Sequence, residues 1–167
     1  MTTVQNLRFF LMLVTVIGCG LSAGIFYAFS TFVMKALAQQ PAIQGITTMQ
    51  SINITVINPW FMVVFLGTGV ACIVITIFLL LQWKQPGTVY WLVGSLFYLI
   101  GTIGVTIACN IPLNDALAIV TPNSSEGATL WARFLIDWTF WNHVRTTAAI
   151  LAAALLTLSL CEQSTQL

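Results

Sequence analysis

Four apolar stretches, each long enough to cross a bilayer, leave this chain little choice of fold. They run over about residues 7–37, 58–82, 88–110 and 128–160, and a hydrocarbon core about 30 Å thick needs only roughly 20 helical residues to span it. The whole chain of 167 residues carries five basic and four acidic side chains. At 59% hydrophobic and 5% charged it is far from a soluble domain, where about a quarter of residues are charged. The lipid bilayer is therefore its expected solvent. The expected fold is all-α: an integral membrane, antiparallel four-helix bundle, a single domain with two longer links on one side.

Composition also excludes several functions. A formal net charge of +1 gives no case for nucleic acid, and no polybasic cluster is present to grip anionic lipid. Cys19, Cys72, Cys109 and Cys161 are scattered singly through apolar sequence, so neither thiol redox chemistry nor a zinc site is expected. The first stretch is too long and unbroken for a cleaved signal peptide and reads as a retained anchor. Within it, Gly20 and Gly24 form a G-x-x-x-G pair that lets another helix approach closely. That leaves a homo-oligomer open.

Local signals punctuate the spans. Asn58 as N-cap with Pro59 at the first helical position starts the second, and W-K-Q-P-G-T makes a tight turn after it. Gly94, Gly101 and Gly104 read as packing residues of the third. Pro112 blocks simple continuation of that helix. Asn123 followed by Glu126 reads as a capping box for the fourth. From there to Leu160 a helix would be roughly 55 Å long at 1.5 Å per residue, so it must project, tilt or kink. Ile43, Ile46, Met49 and Ile52 recur every three residues, as in a short amphipathic segment on the membrane surface. Asn53 and Asn123 also open N-x-[ST] triplets, which matter only in a host that glycosylates.

The chemistry concentrates in W-A-R-F-L-I-D-W-T-F-W-N-H-V-R, residues 131–145. It holds Arg133, Asp137 and Arg145, the one histidine, His143, and three of the six tryptophans. Asp137, Trp141 and Arg145 stack at i, i+4, i+8, with Trp138 and Asn142 beside them, all within an arc of about 140°. His143 points away from that arc. Trp rings at headgroup level are an ordinary interfacial belt. Arg145 is not explained that way, because it lies about 10 Å deeper than Trp138. A charge inside hydrocarbon marks a functional site by default, or else a structural ion pair, with Asp137 the nearest candidate partner.

The two links, 38–57 and 110–130, fall on the same side. Tyr27 at the end of the first helix, Asn58 and Trp60 opening the second, and Asn110, Asn114 and Asp115 closing the third therefore meet the charged head of the fourth at one mouth. Helix capping by the asparagines is the plain alternative. Positive-inside counting is nearly tied, with Arg8 and Lys84 on one side and Lys35 and Arg133 on the other. The free N-terminus and the acidic Asp115, Glu126 and Asp137 tip the expectation towards both termini being cytoplasmic.

Four segments together resemble a known family: A-G-I-F-Y-A-F-S-T-F-V-M in the first helix, N-P-W at 58–60, N-I-P-L-N-D-A-L at 110–117 and D-W-T-F-W-N-H-V-R at 137–145. They are similar to a bacterial four-helix membrane family grouped with the fungal anthrone oxygenases, over nearly the whole chain, and the expected location is a bacterial inner membrane. N-x-P-x-N-[DE] followed by W-x-x-W-N-x-x-R is fairly specific for that family and less so for any reaction. Lys35 stands where relatives are expected to carry proline. The resemblance implies oxidation of a polyketide anthrone to the anthraquinone by molecular oxygen, without a conventional cofactor. The working residues it implies are Asn110, Asn114, Asp115, Trp138, Trp141, Asn142, His143 and Arg145.

Three functions follow as expectations. The first is an oxygenase acting on a lipophilic, phenolic molecule. Arg145 would hold the anion, His143, Asp137 or Asp115 would serve as base, Trp138 and Trp141 would hold the ring, and the asparagines its oxygens. The second is a small-molecule or proton carrier using the same mouth, and the third is a scaffold with an Asp137–Arg145 register pair. Haem or metal at His143 is the weaker alternative to no cofactor, since no ligand-type residue accompanies it at helical spacing.

Overall fold

The computed structural model describes residues 3–81 and 85–164. Helix α1 covers residues 3–38, α2 Ala42–Thr55, α3 Pro59–Leu81, α4 Thr88–Ile119 and α5 Ser125–Ser164. Four of these are long and apolar enough to cross a membrane, and α2 is the short one between α1 and α3. The protein is an all-α, multi-pass integral membrane bundle. Helix α5 packs on α1 and α4, and α3 closes the ring between them, while α2 lies across one end against α5 and the end of α4. Gln82, Trp83 and Lys84, counted above for the turn and for orientation, lie outside the described residues. Gly87 in that turn has φ +74°, the left-handed conformation that glycine adopts freely.

The start of α3 is as expected: Asn58 Oδ1 accepts the Phe61 N–H at 3.1 Å. The start of α5 differs. Ser124, not Asn123, is the cap, its Oγ accepting the Gly127 N–H at 2.9 Å, so Glu126 closes no capping box. Helix α5 then runs 40 residues without a break, about 60 Å at 1.5 Å per residue. It does not kink, and near its start it carries α2.

Pro112 does not end α4. The helix widens into a π-turn at Thr106–Asn110, where the Ile111 N–H reaches back five residues to Thr106 O, and resumes as α-helix over Ile111–Ile119. Pro112 thereby sits at the start of a new α-segment, where its missing N–H costs no bond. Two further π-turns, Phe29–Val33 in α1 and Phe97–Gly104 in α4, interrupt the helices that flank α5. Such turns gather at functional sites in many proteins.

Besides a small cluster of Ala23, Phe26, Phe65 and Ala149, packing divides into two layers. Far from α2, Met12, Tyr98, Trp91 and Leu156 form one core, knit by the Tyr98 hydroxyl, which donates to Phe65 O and shares a hydrogen bond with Ser22 Oγ, both at 3.0 Å. Beneath α2, Ile46, Met49 and Leu117 pack on the stacked rings of Trp131, Phe134 and Trp138. The amphipathic pattern of α2 thus buries Ile46 and Met49 but leaves Ile43 exposed. Gly20 and Gly24 meet nothing within 4 Å. The close α1–α3 approach is instead at Gly18, against Thr68. Gly94 packs on Leu156 and Gly101 on Ala148, as expected of them, whereas near Gly104 there is only its own helix's Leu99 O.

Candidate functional site

Between the two layers lies a cavity of about 230 Å³. Phe26 and Phe29 of α1, Phe61 and Phe65 of α3, and Trp138 of α5 wall it, and Met49 and Ile52 roof it. Among the described residues Arg145 is its only charged lining group. The rings contact one another: Phe26 lies edge-on to Phe65, Phe61 stacks on Phe65, and Phe29 tilts onto Trp138.

Arg145 is 7% exposed. Its Nε donates to Asn142 Oδ1 at 2.9 Å and its Nη1 to Thr106 Oγ1 at 3.3 Å. The guanidinium lies 4.2 Å from the Phe26 ring centroid and 4.9 Å from that of Trp138. Desolvated cation–π contacts are worth about 2 kcal/mol each and hydrogen bonds to a charged group about 1.5–3. Together these exceed the roughly 2.5–3.5 kcal/mol that insertion scales assign to a mid-membrane arginine. Each of these partners, however, is neutral.

The Asp137–Arg145 pair anticipated from the sequence does not form. Eight helical residues separate the two by about 12 Å along the axis and about 80° around it, and Asp137 is exposed to the surroundings. Trp138, Asn142 and Arg145 are buried, so the working face narrows to an arc of about 60°. Trp141 is half-buried at its edge, in a T-shaped contact with Phe140.

Asn142 holds the arginine from behind. Its amide nitrogen donates to Phe26 O at 2.8 Å and to Ser30 Oγ at 2.7 Å, which fixes its oxygen towards Arg145. Thr146 Oγ1 donates to Asn142 O, so the Ser30–Thr146 bond at 3.0 Å must have Ser30 as donor. The Phe26 carbonyl taken by Asn142 lies just ahead of the π-turn Phe29–Val33. On α4 the Thr106 hydroxyl that accepts from Arg145 also donates to Thr102 O, inside the other distorted stretch. All three irregular turns therefore face the Asn142–Arg145 pair.

The asparagines of α4 brace Trp138. Asn114 Oδ1 accepts its indole N–H at 2.8 Å, and Asn110 Nδ2 donates to its carbonyl at 3.2 Å. Asn114 also lines the cavity. The remaining sequence candidates are placed elsewhere. His143 and Asp115 are exposed or half-exposed and outside the cavity lining, as is Asp137. Tyr27 is 56% and Trp60 85% exposed. Asn58 is a helix cap. Among the described residues no three His, Cys, Asp or Glu side chains gather as a metal site would require.

With this geometry in view, the comparison with protein families is specific: the model of the anthrone oxygenase family matches residues 60–155, more than half of the chain. The chain belongs to the anthrone oxygenase family. No curated protein and no solved structure matches it. The family match takes in Asn110, Asn114, Trp138, Asn142 and Arg145, so the buried cation and its braces lie inside the shared region. Phe26, Ser30 and the α2 residues that complete the cavity lie outside it. Sequence reading missed Phe26, Phe61, Phe65 and Thr106, which look like ordinary span residues.

Proposed function

We propose that the cavity binds a lipophilic phenol or enol as its anion against Arg145 and promotes its oxidation by molecular oxygen without a resident cofactor. The observation that carries this is the buried guanidinium with neutral partners, facing an aromatic-walled cavity. A ligand oxyanion supplies the missing counter-charge in a low-dielectric site, where preorganised electrostatic stabilisation is strongest. For an anthrone-type substrate, one ring methylene and one molecule of dioxygen become one ring carbonyl and one molecule of water. The conjugated anion gives up electrons to oxygen, a C–O bond forms, the O–O bond breaks, and water leaves with both methylene protons. No carboxylate or imidazole lines the cavity among the described residues. Arg145 therefore acts by making the bound substrate more acidic, and the proton passes to water. We further place the α2 end on the non-cytoplasmic side, because Asp115, Glu126 and Asp137 gather there.

Oxygen uptake with an anthrone in detergent, without added flavin, haem or metal, tests the reaction. The native protein should exceed boiled protein. Arg145→Met should bring the excess down about 10²–10³-fold, the usual loss when an oxyanion stabiliser is removed. Equal uptake in all three, with the variant folded, would leave a non-catalytic carrier or scaffold.

A further inference from the structure

The walls of the cavity also limit the ligand's size and ask for a second polar anchor. An apolar cavity of about 150 Å³ accommodates benzene. At the same filling, 230 Å³ encloses two fused rings, and a three-ring system would leave part of itself outside. The second anchor is Asn53 of α2. It lines the cavity, and its amide nitrogen, buried without an acceptor, reaches a ligand once the side-chain amide turns over. An unmade hydrogen bond at a buried donor is costly, and a ligand oxygen would relieve it. The most exposed lining residues are isoleucines, Ile25, Ile57 and Ile111. Ile57 is three residues from Trp60, an exposed ring at the start of α3 of the kind that marks a membrane interface. The mouth is therefore apolar and opens to lipid.

We infer that the cavity itself encloses the two-ring part of an aromatic oxyanion that carries a second, neutral oxygen acceptor. Arg145 takes the oxyanion, Asn53 the acceptor, and any further ring or alkyl substituent runs out past the isoleucines into the bilayer. This rests on the reading of Arg145 as the anion site and narrows what that site takes.

Three coloured anions at pH 8 test it on the purified, full-length protein: 4-nitrophenol, 2-hydroxy-1,4-naphthoquinone and 1,2-dihydroxyanthraquinone, of one, two and three rings. Binding is read by tryptophan quenching. The two-ring probe should bind at least tenfold tighter than 4-nitrophenol, and the third ring, lying outside the cavity, should change the affinity less than about threefold. Asn53→Leu should weaken that probe about tenfold, as expected for one lost hydrogen bond to a buried donor. The same variant should change 4-nitrophenol binding less than twofold. Arg145→Met should weaken all three. A three-ring affinity more than about threefold from the two-ring one, or an unchanged affinity in a folded Asn53→Leu protein, overturns this inference while leaving the anion site standing. Binding that is indifferent to Arg145→Met, or absent for every probe, overturns both. The ring-size series needs no variant, so it is decisive even if Arg145→Met fails to fold.

Discussion

Asn142 is the residue on which the polar centre turns, because one amide satisfies the Phe26 carbonyl, the Ser30 hydroxyl and the Arg145 guanidinium at once. Replacing it with alanine leaves a buried cation short of its nearest acceptor. Losing a hydrogen bond to a charged group costs about 1.5–3 kcal/mol, so Asn142→Ala should lower the thermal midpoint in detergent. Ser30→Ala, which removes only neutral contacts, should cost about 1 kcal/mol or less. His143 offers the opposite case. It is exposed and outside the cavity, so His143→Ala should keep oxygen uptake within about twofold, whereas loss of a general base would remove about 10²–10⁴-fold. A drop of that size would return His143 to the chemistry and require the substrate to reach the outer face of α5. A lone histidine two residues before Arg145 invites a catalytic role. The 100° step per helical residue is what separates the two side chains.

At the scale of elements, α2 decides whether there is a cavity at all. It supplies Met49, Ile52 and Asn53, and it is held down where Gly45 meets the Trp131 ring. A Cβ built at Gly45 would stand 2.7 Å from Trp131 Cζ2. Trp131 is buried and stacked on Phe134, so it has little room to yield. Gly45→Ala should therefore cost about 1–3 kcal/mol, the usual range for overpacking. It should also weaken naphthoquinone binding, because the roof lifts with α2. An unchanged midpoint and affinity would mean that α2 floats free of the bundle. The sequence made the four spans legible through their apolar length, and Asn58–Pro59 marked the start of α3 through capping chemistry. The shared end of the two links followed from counting spans. The π-turns left no such trace, since a hydrogen bond shifted by one residue changes neither composition nor hydrophobic period. Asn53 was hidden for a different reason: on a short amphipathic helix a polar residue reads as the wet face. Asn110, Asn114, Asn142 and Arg145 were legible as polar exceptions in apolar sequence, but neutral partners for the arginine were not. Coulomb's law leads one to look for a carboxylate first, and Asp137 is too far along the helix to be it.

At the scale of the whole molecule, the core around Trp91 and Leu156 lies away from the cavity, which α2 roofs, and a ligand dissolved in lipid would enter it past the exposed isoleucines. Ile57 is 71% exposed and lines the cavity, whereas Ile54 is 76% exposed on the same segment and does not. Bulk added at the first position should narrow the mouth, and bulk added at the second should not. Ile57→Phe is therefore expected to slow the uptake of 2-hydroxy-1,4-naphthoquinone in nanodiscs, followed by its own absorbance, with no change in thermal midpoint. Ile54→Phe should leave the rate at its native value. Access through lipid also means that the observed rate should follow the amount of probe per lipid rather than its bulk aqueous concentration. Raising the lipid-to-protein ratio at fixed total probe should then slow binding in the native protein. A rate set by aqueous concentration alone, and indifferent to Ile57→Phe, would move the mouth from the isoleucines to the wet end beneath α2.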